Sequence, residues 1–169
     1  MQVNRARSAP HRPLYTADQR HRRDASPWTL VQGVLAPVQF LVFLVSLALV
    51  VRYLVTENGQ YAATVSVVIK TLVLYTIMIT GAIWEKVVFG RYLFAPAFFW
   101  EDVFSMLVLA LHTAYLVGLF GGYLAPRALA FVALAAYAAY AINAAQFVLK
   151  LRAARLQAPA ASVAWEASR

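Results

Sequence analysis

Five ionisable side chains stand inside or at the edges of long apolar runs: Lys70, Glu85, Glu101, Asp102 and His112. An ionisable group near the centre of a membrane-crossing helix costs about 2.5 to 3.5 kcal/mol on insertion scales, so each needs a purpose. Three of the five are carboxyls that bracket one short stretch, Glu85 to Asp102. A carboxyl withdrawn from water keeps a proton that it can give up near neutral pH, which is what general acid–base chemistry requires. Asn143 and Gln146 add amides able to orient a water molecule or a carbonyl. Glu101, Ser105 and His112 fall on one helical stripe, but Glu101 and His112 are about 16 Å apart at about 1.5 Å per residue, which bars direct contact. A structural reading competes for each carboxyl. Glu101 and Asp102 suit the first turn of a helix, where the macrodipole favours negative charge, and Glu85 beside Lys86 suits a solvated interfacial pair.

Lys70 and His112 pose a second question. Lys70 lies nine residues into its apolar run and His112 eight residues before the end of the next, so antiparallel packing sets them at similar depth, facing one another within a bundle. The alternative has Lys70 snorkelling outward and His112 bonded to a carbonyl.

The elements that must position these groups are membrane helices. Of 169 residues, 62% are hydrophobic and 13% charged, outside the range of ordinary soluble domains. Four apolar stretches, roughly 28–55, 61–84, 98–120 and 128–149, are each near the ~20 residues that cross a bilayer. They predict an all-α membrane protein, a four-transmembrane-helix bundle spanning 27–151, with a basic N-terminal arm (1–26) and a C-terminal tail (152–169). Strands are excluded, since open edges go unsatisfied in hydrocarbon and the runs lack barrel alternation. Pro37 predicts a kink in the first span. The first run is too long for a signal h-region and is expected to remain as an anchor. Within the arm, Pro10 and Pro13 break helix, and Tyr15-Thr16-Ala17-Asp18-Gln19 has the pattern to cap a brief interfacial helix.

Orientation follows from the charge. The net charge is +8, and the arm, the second loop and the tail hold twelve basic residues: Arg5, Arg7, Arg12, Arg20, Arg22, Arg23, Lys86, Arg91, Lys150, Arg152, Arg155 and Arg169. The opposite side has only Arg52 and Arg127, which predicts cytoplasmic N- and C-termini. Trp28, Tyr53, Tyr61, Trp84, Trp100 and Tyr123 serve as interfacial anchors. The alanines of the fourth span and the Gly118/Gly122 pair predict close helix packing. With no cysteine, thiolate catalysis, thiolate metal sites and disulfides are excluded. No protein-bound metal or cofactor is expected, because nothing has zinc or iron ligand spacing.

On this topology Glu85, Glu101, Asp102, Asn143 and Gln146 share one membrane level at the cytoplasmic boundary, with Gln32 and, deeper, Gln39 from the first span. One polar pocket built by all four spans is expected, rimmed by Trp84, Tyr92, Trp100 and Phe147.

Two blocks carry a resemblance. Tyr15-Thr16-Ala17-Asp18-Gln19-Arg20 runs into Asp24-Ala25-Ser26-Pro27-Trp28-Thr29-Leu30-Val31-Gln32-Gly33, and Trp84-Glu85-Lys86-Val87-Val88-Phe89-Gly90 runs through Tyr92-Leu93-Phe94-Ala95-Pro96-Ala97-Phe98-Phe99-Trp100-Glu101-Asp102. They resemble the 3-vinyl bacteriochlorophyllide hydratase family of phototrophic bacteria, over residues 14 to about 156. The resemblance implies a hydro-lyase of bacteriochlorophyll biosynthesis, in a bacterial inner (cytoplasmic or intracytoplasmic) membrane. It would add water to the 3-vinyl group of a Mg-tetrapyrrole and yield a 3-(1-hydroxyethyl) group.

On that reading Glu101 or Asp102 is the acid, Glu85 the base, and Asn143 and Gln146 orient water or a ring carbonyl. Trp84, Tyr92, Trp100, Gln32, Lys70 and His112 are assigned to substrate binding, with His112 an axial ligand to the substrate's magnesium. Lys86, Arg91, Lys150 and Arg152 flank its carboxylate. The partners implied are the tetrapyrrole, the lipid bilayer and other enzymes of the pathway. Nucleic acid is not among them, because an arginine-rich arm beside a membrane anchor is an orientation signal and a contact for anionic lipid. Two rivals remain: a non-enzymatic pigment carrier or assembly factor using the same pocket, and a small carrier using Lys70 and His112 as a proton relay.

Overall fold

The computed structural model describes residues 14–166, with side chains from 14 to 152. Residues 1–13, the first half of the expected N-terminal arm, lie outside the described part, as do Arg169 and the side chain of Arg155.

Five helices follow one another: α1 (Ala17–Ala25), α2 (Pro27–Thr56), α3 (Gln60–Phe89), α4 (Phe99–Phe120) and α5 (Pro126–Glu166). Four of them, α2 to α5, are long and apolar enough to cross a membrane. α1 is the short polar helix expected from its cap: the Thr16 hydroxyl accepts from the Gln19 N–H, and the Gln19 side chain accepts from the Thr16 N–H. Ser26 then ends α1 and caps α2, whose first residue is Pro27. α2 runs through Pro37 as continuous helix. α3 and α5 exceed the expected lengths. α3 continues five residues past Trp84 to Gly90, whose left-handed backbone (φ 83°) and N–H to the Lys86 carbonyl stop it. α5 runs through the expected tail to Glu166 as continuous helix.

Polarity is distributed from the inside out. Leu30, Leu41, Val45, Val55, Ile79, Val117 and Phe131 are among the large apolar side chains facing outward, whereas Gln39, Ser46, Lys70, Thr71, Glu85, Glu101, Asp102, Ser105, His112 and Asn143 are buried. Such a surface suits lipid, and buried polar groups at helical spacing tie the bundle together. α2 pairs chiefly with α3 and α4 with α5, and the two hairpins close through α2–α5 and α3–α4 contacts. Ser46 reaches Ser66 (2.7 Å) and Tyr137, Gln32 reaches Thr80 (2.8 Å), and Tyr75 reaches Thr113 (2.8 Å).

Small residues bring α5 close to its neighbours: Ala130, Ala133, Ala136 and Ala139 are all buried. Gly118 is also buried, and a Cβ there would meet Leu124 and Leu129. Gly122 departs from the expected pairing. α4 ends at Phe120, and Gly122 turns the chain at φ 65°, so the two glycines form no helical GxxxG face.

Candidate active site

Three carboxyls meet at the end of the bundle that bears the α1 and Lys86/Arg91 charges, called here the basic end. Glu85 sits one turn inside the end of α3, and Glu101 and Asp102 occupy the first turn of α4. All three are nearly covered, at 6%, 5% and 4% exposure. The loop 90–98 folds over them. Phe94 takes a left-handed backbone (φ 58°) that a bulky residue rarely adopts. This turn aims two successive N–H groups inward: Phe94 donates to Asp102 Oδ2 (2.7 Å) and Ala95 to Glu85 Oε2 (3.3 Å). Pro96 restricts Ala95 to extended backbone, and Ala95 itself is fully buried.

These adjacent N–H groups hold the Glu85 and Asp102 carboxyls side by side. Glu101 has a different partner. Lys150, among the last described side chains of α5, places its ammonium 2.6 Å from Glu101 Oε2 and 5.0 Å from the centre of the Phe98 ring. The site therefore combines two neighbouring buried carboxyls with an adjacent ion pair. Asn143 and Ser105 complete its floor: Asn143 Nδ2 donates to Ser105 Oγ (2.8 Å), and the Asn143 and Gln146 amide oxygens have no hydrogen-bond partner among the described residues.

An aromatic stack lines the same end. Phe98 lies 5.8 Å from Trp84, Phe89 and Phe147, and 6.3 Å from Tyr15. Tyr15 stacks on Phe89 at 5.8 Å and is held from above by Arg23 at 4.8 Å, so α1 is fastened over the stack. Thr29 secures the junction by donating to the Arg23 carbonyl (2.6 Å) and accepting from Trp84 Nε1 (2.9 Å).

Of the residues singled out in the sequence, Glu85, Glu101, Asp102 and Asn143 converge, and Gln146 stands a turn beyond Asn143. Trp84 belongs to the aromatic stack, while Tyr92 and Trp100 are exposed outside it. Gln32 does not join: its amide is bound to Thr80 on the α2–α3 seam, so the carboxyl site is built by α3, α4 and α5 with the loop 90–98. Lys150, expected beside a substrate carboxylate, is engaged inward with Glu101. Lys70 and His112 lie deeper and are wholly buried. The Lys70 ammonium rests 3.9 Å from the Tyr140 ring centre, and His112 packs 5.9 Å from Tyr137, with Nδ1 facing the Val108 carbonyl at 2.8 Å. Lys70 thus stays inside the bundle, and His112 bonds a carbonyl while remaining inside. Sequence reasoning missed Tyr15, Phe98 and the two loop N–H groups. The run Phe94-Ala95-Pro96 was their only visible signal.

An open apolar groove of about 490 Å³ lies at the opposite end, between Thr64, Val65, Val68 and Ile69 of α3 and Leu119 and Phe120 of α4. It holds no ionisable group, so the chemistry is assigned to the carboxyls.

No solved structure matches the chain. Two relatives match closely. The 2-vinyl bacteriochlorophyllide hydratase of Cereibacter sphaeroides is 68% identical over 155 residues, covering 91% of this chain and 96% of that protein. The protein of the same name from Rhodobacter capsulatus is 66% identical over 155 residues, covering 92% and 90%. The family described as 2-vinyl bacteriochlorophyllide hydratase matches residues 15–153, a span that contains α1, the loop 90–98, all three carboxyls and Lys150. With an acid pair, an ion pair and free amide oxygens assembled at one end of a membrane bundle, and with this match over most of its length, the chain belongs to the 2-vinyl bacteriochlorophyllide hydratase family.

Proposed function

We infer that the chain hydrates the vinyl group of a bacteriochlorophyllide precursor in bacteriochlorophyll biosynthesis, the activity for which its relatives are named. That vinyl group, numbered 2 in the family's name, is the one numbered 3 in the sequence resemblance. The observation that carries the mechanism is the placement of the buried Glu85 and Asp102 carboxyls on two successive loop N–H groups.

Hydration of an alkene needs an acid, a base and a held water. In this reading Asp102 gives its proton to the terminal vinyl carbon. The adjoining carbon becomes a cation stabilised by conjugation with the macrocycle. A water oriented by the Asn143 and Gln146 amide oxygens attacks that carbon, and Glu85 takes the proton the water releases. One C–H, one C–O and one new acid O–H bond form, and the proton returns to the Glu85–Asp102 pair for the next turnover. Glu101 keeps its negative charge against Lys150, where it favours the nearby cation electrostatically. Glu101 therefore moves from proton donor to charge stabiliser, and Asp102 takes the acid role.

The flat macrocycle docks against Phe98, Phe147 and Trp84, with Tyr92 and Trp100 at the rim, once α1 or the loop 90–98 swings aside. Its carboxylate stays at the surface near Lys86, Arg91 and Arg152. The basic end faces the cytoplasm, and the protein resides in the bacterial inner membrane. The support for this placement is the charge asymmetry, with Arg52 and Arg127 alone at the other end.

The test is direct. Purified protein in detergent, given a 3-vinyl chlorophyllide, should shift its absorbance and add the mass of one water, and Asp102→Asn should slow both changes at least about 10²-fold. Pigment that co-purifies unchanged with active-site-intact protein would instead identify a carrier.

A further inference from the structure

Each spanning helix sends into the bundle a buried polar group that meets no partner among the described residues. Gln39 on α2 leaves both amide atoms free, Lys70 on α3 its ammonium, His112 on α4 its Nε2, and Asn143 and Gln146 on α5 one oxygen each. Gln39, Lys70 and His112 are at most 2% exposed. These groups lie along one path. Phe43, one turn from Gln39, packs on both Tyr137 (5.5 Å) and Tyr140 (4.9 Å). Tyr140 carries the Lys70 ammonium, and Tyr137 touches His112. One turn beyond Tyr140 is Asn143, bound to Ser105, which sits two turns before His112 on the inward stripe of α4. The path thus covers about 10 Å, from mid-bundle to the floor of the carboxyl site.

The atom types select the ligand. Lys70 Nζ and Gln39 Nε2 donate. Gln39 Oε1, Asn143 Oδ1 and Gln146 Oε1 accept. So does His112 Nε2, because its Nδ1 hydrogen faces the Val108 carbonyl. An anion would satisfy only the donors and a metal cation only the acceptors, whereas water satisfies both. In hydrocarbon no outside solvent reaches these groups, and buried polar atoms in folded proteins are paired with protein or with ordered water.

We propose that Gln39, Lys70, His112 and Asn143 form an internal water site, a file of ordered molecules that ends at Glu85 and Asp102 and supplies the water added to the vinyl group. The supply role rests on the hydratase reading; the water site does not. Water would then reach the cation from within the bundle while the macrocycle closes the cytoplasmic mouth.

Water-edited solid-state NMR on protein with labelled histidine and lysine, held in lipid vesicles, tests the site without any mutation. His112 and Lys70 should receive magnetisation from water about as fast as His21 on exposed α1. Transfer as slow as that to lipid-facing methyl groups overturns the site. For the supply role, Gln39→Leu and His112→Phe should each lower kcat about tenfold, with KM for the pigment within about twofold. Unchanged kcat in folded variants whose remaining labelled groups have lost water transfer overturns it. Absence of hydration by the wild type would refute the hydratase reading instead, and the NMR result would still decide whether the site holds water.

Discussion

Removing the carboxyls one at a time separates their roles. A general acid contributes about 10²- to 10⁴-fold, so Asp102→Asn and Glu85→Gln should each lower kcat within that range, read as loss of the mass gain of one water. Glu101 behaves differently because Lys150 balances it. Lys150→Met leaves a buried carboxylate uncompensated, whereas Lys150→Met with Glu101→Gln removes both charges. The double variant should therefore be more thermally stable in detergent than Lys150→Met alone; equal midpoints would mean that the pair is not coupled. His112 is a cleaner case. Wholly buried behind Tyr137, it should not ligate the substrate's magnesium, so pigment affinity in His112→Ala should stay within about twofold of wild type by titration.

At the level of the elements, α1 and α5 do the positioning. The Thr16–Gln19 capping box holds the helix that follows Tyr15 over the aromatic stack. Thr16→Ala should loosen α1 by about 1 kcal/mol, and trypsin should then cut faster at Arg20, Arg22 and Arg23. The tight approach of α5 depends on alanines with no room beside them. Ala136 is fully buried, and Ala136→Leu should cost about 1 to 3 kcal/mol by overpacking, measured as a lower unfolding midpoint in detergent. The cap at Thr16 and the small-residue face of α5 were both legible in the sequence, because capping and helix spacing are local. The end of α3 was not. Hydropathy falls at Trp84, but backbone hydrogen bonding continues until Gly90, and those extra residues carry Glu85 inside the bundle rather than at its edge.

For the whole molecule, the charge distribution predicts the sidedness. The chain has no cysteine, so single cysteines report on it without background. Asn58→Cys, in the α2–α3 loop, should react with a membrane-impermeant maleimide in right-side-out vesicles, and Arg91→Cys only in inverted ones. The reverse pattern would turn the proposed site to the far side of the membrane. The Glu57–Arg127 ion pair (3.1 Å) links α2 to the start of α5 at the end bearing Asn58, so it should not limit labelling of the loop 90–98.

The amino-acid sequence alone determined that four helices are long and apolar enough to cross a membrane, which end carries the positive charge, and that Glu85, Glu101, Asp102 and Asn143 share one level. Apolar run length, charge placement and axial rise per residue are properties of the chain before it packs. What only the tertiary structure decided was rotation and partnership. Axial level says nothing about which way a side chain turns around its helix. Gln32 therefore turned to Thr80, Lys150 to Glu101, and Glu85 and Asp102 to successive loop N–H groups only when three helices and a left-handed Phe94 were packed together.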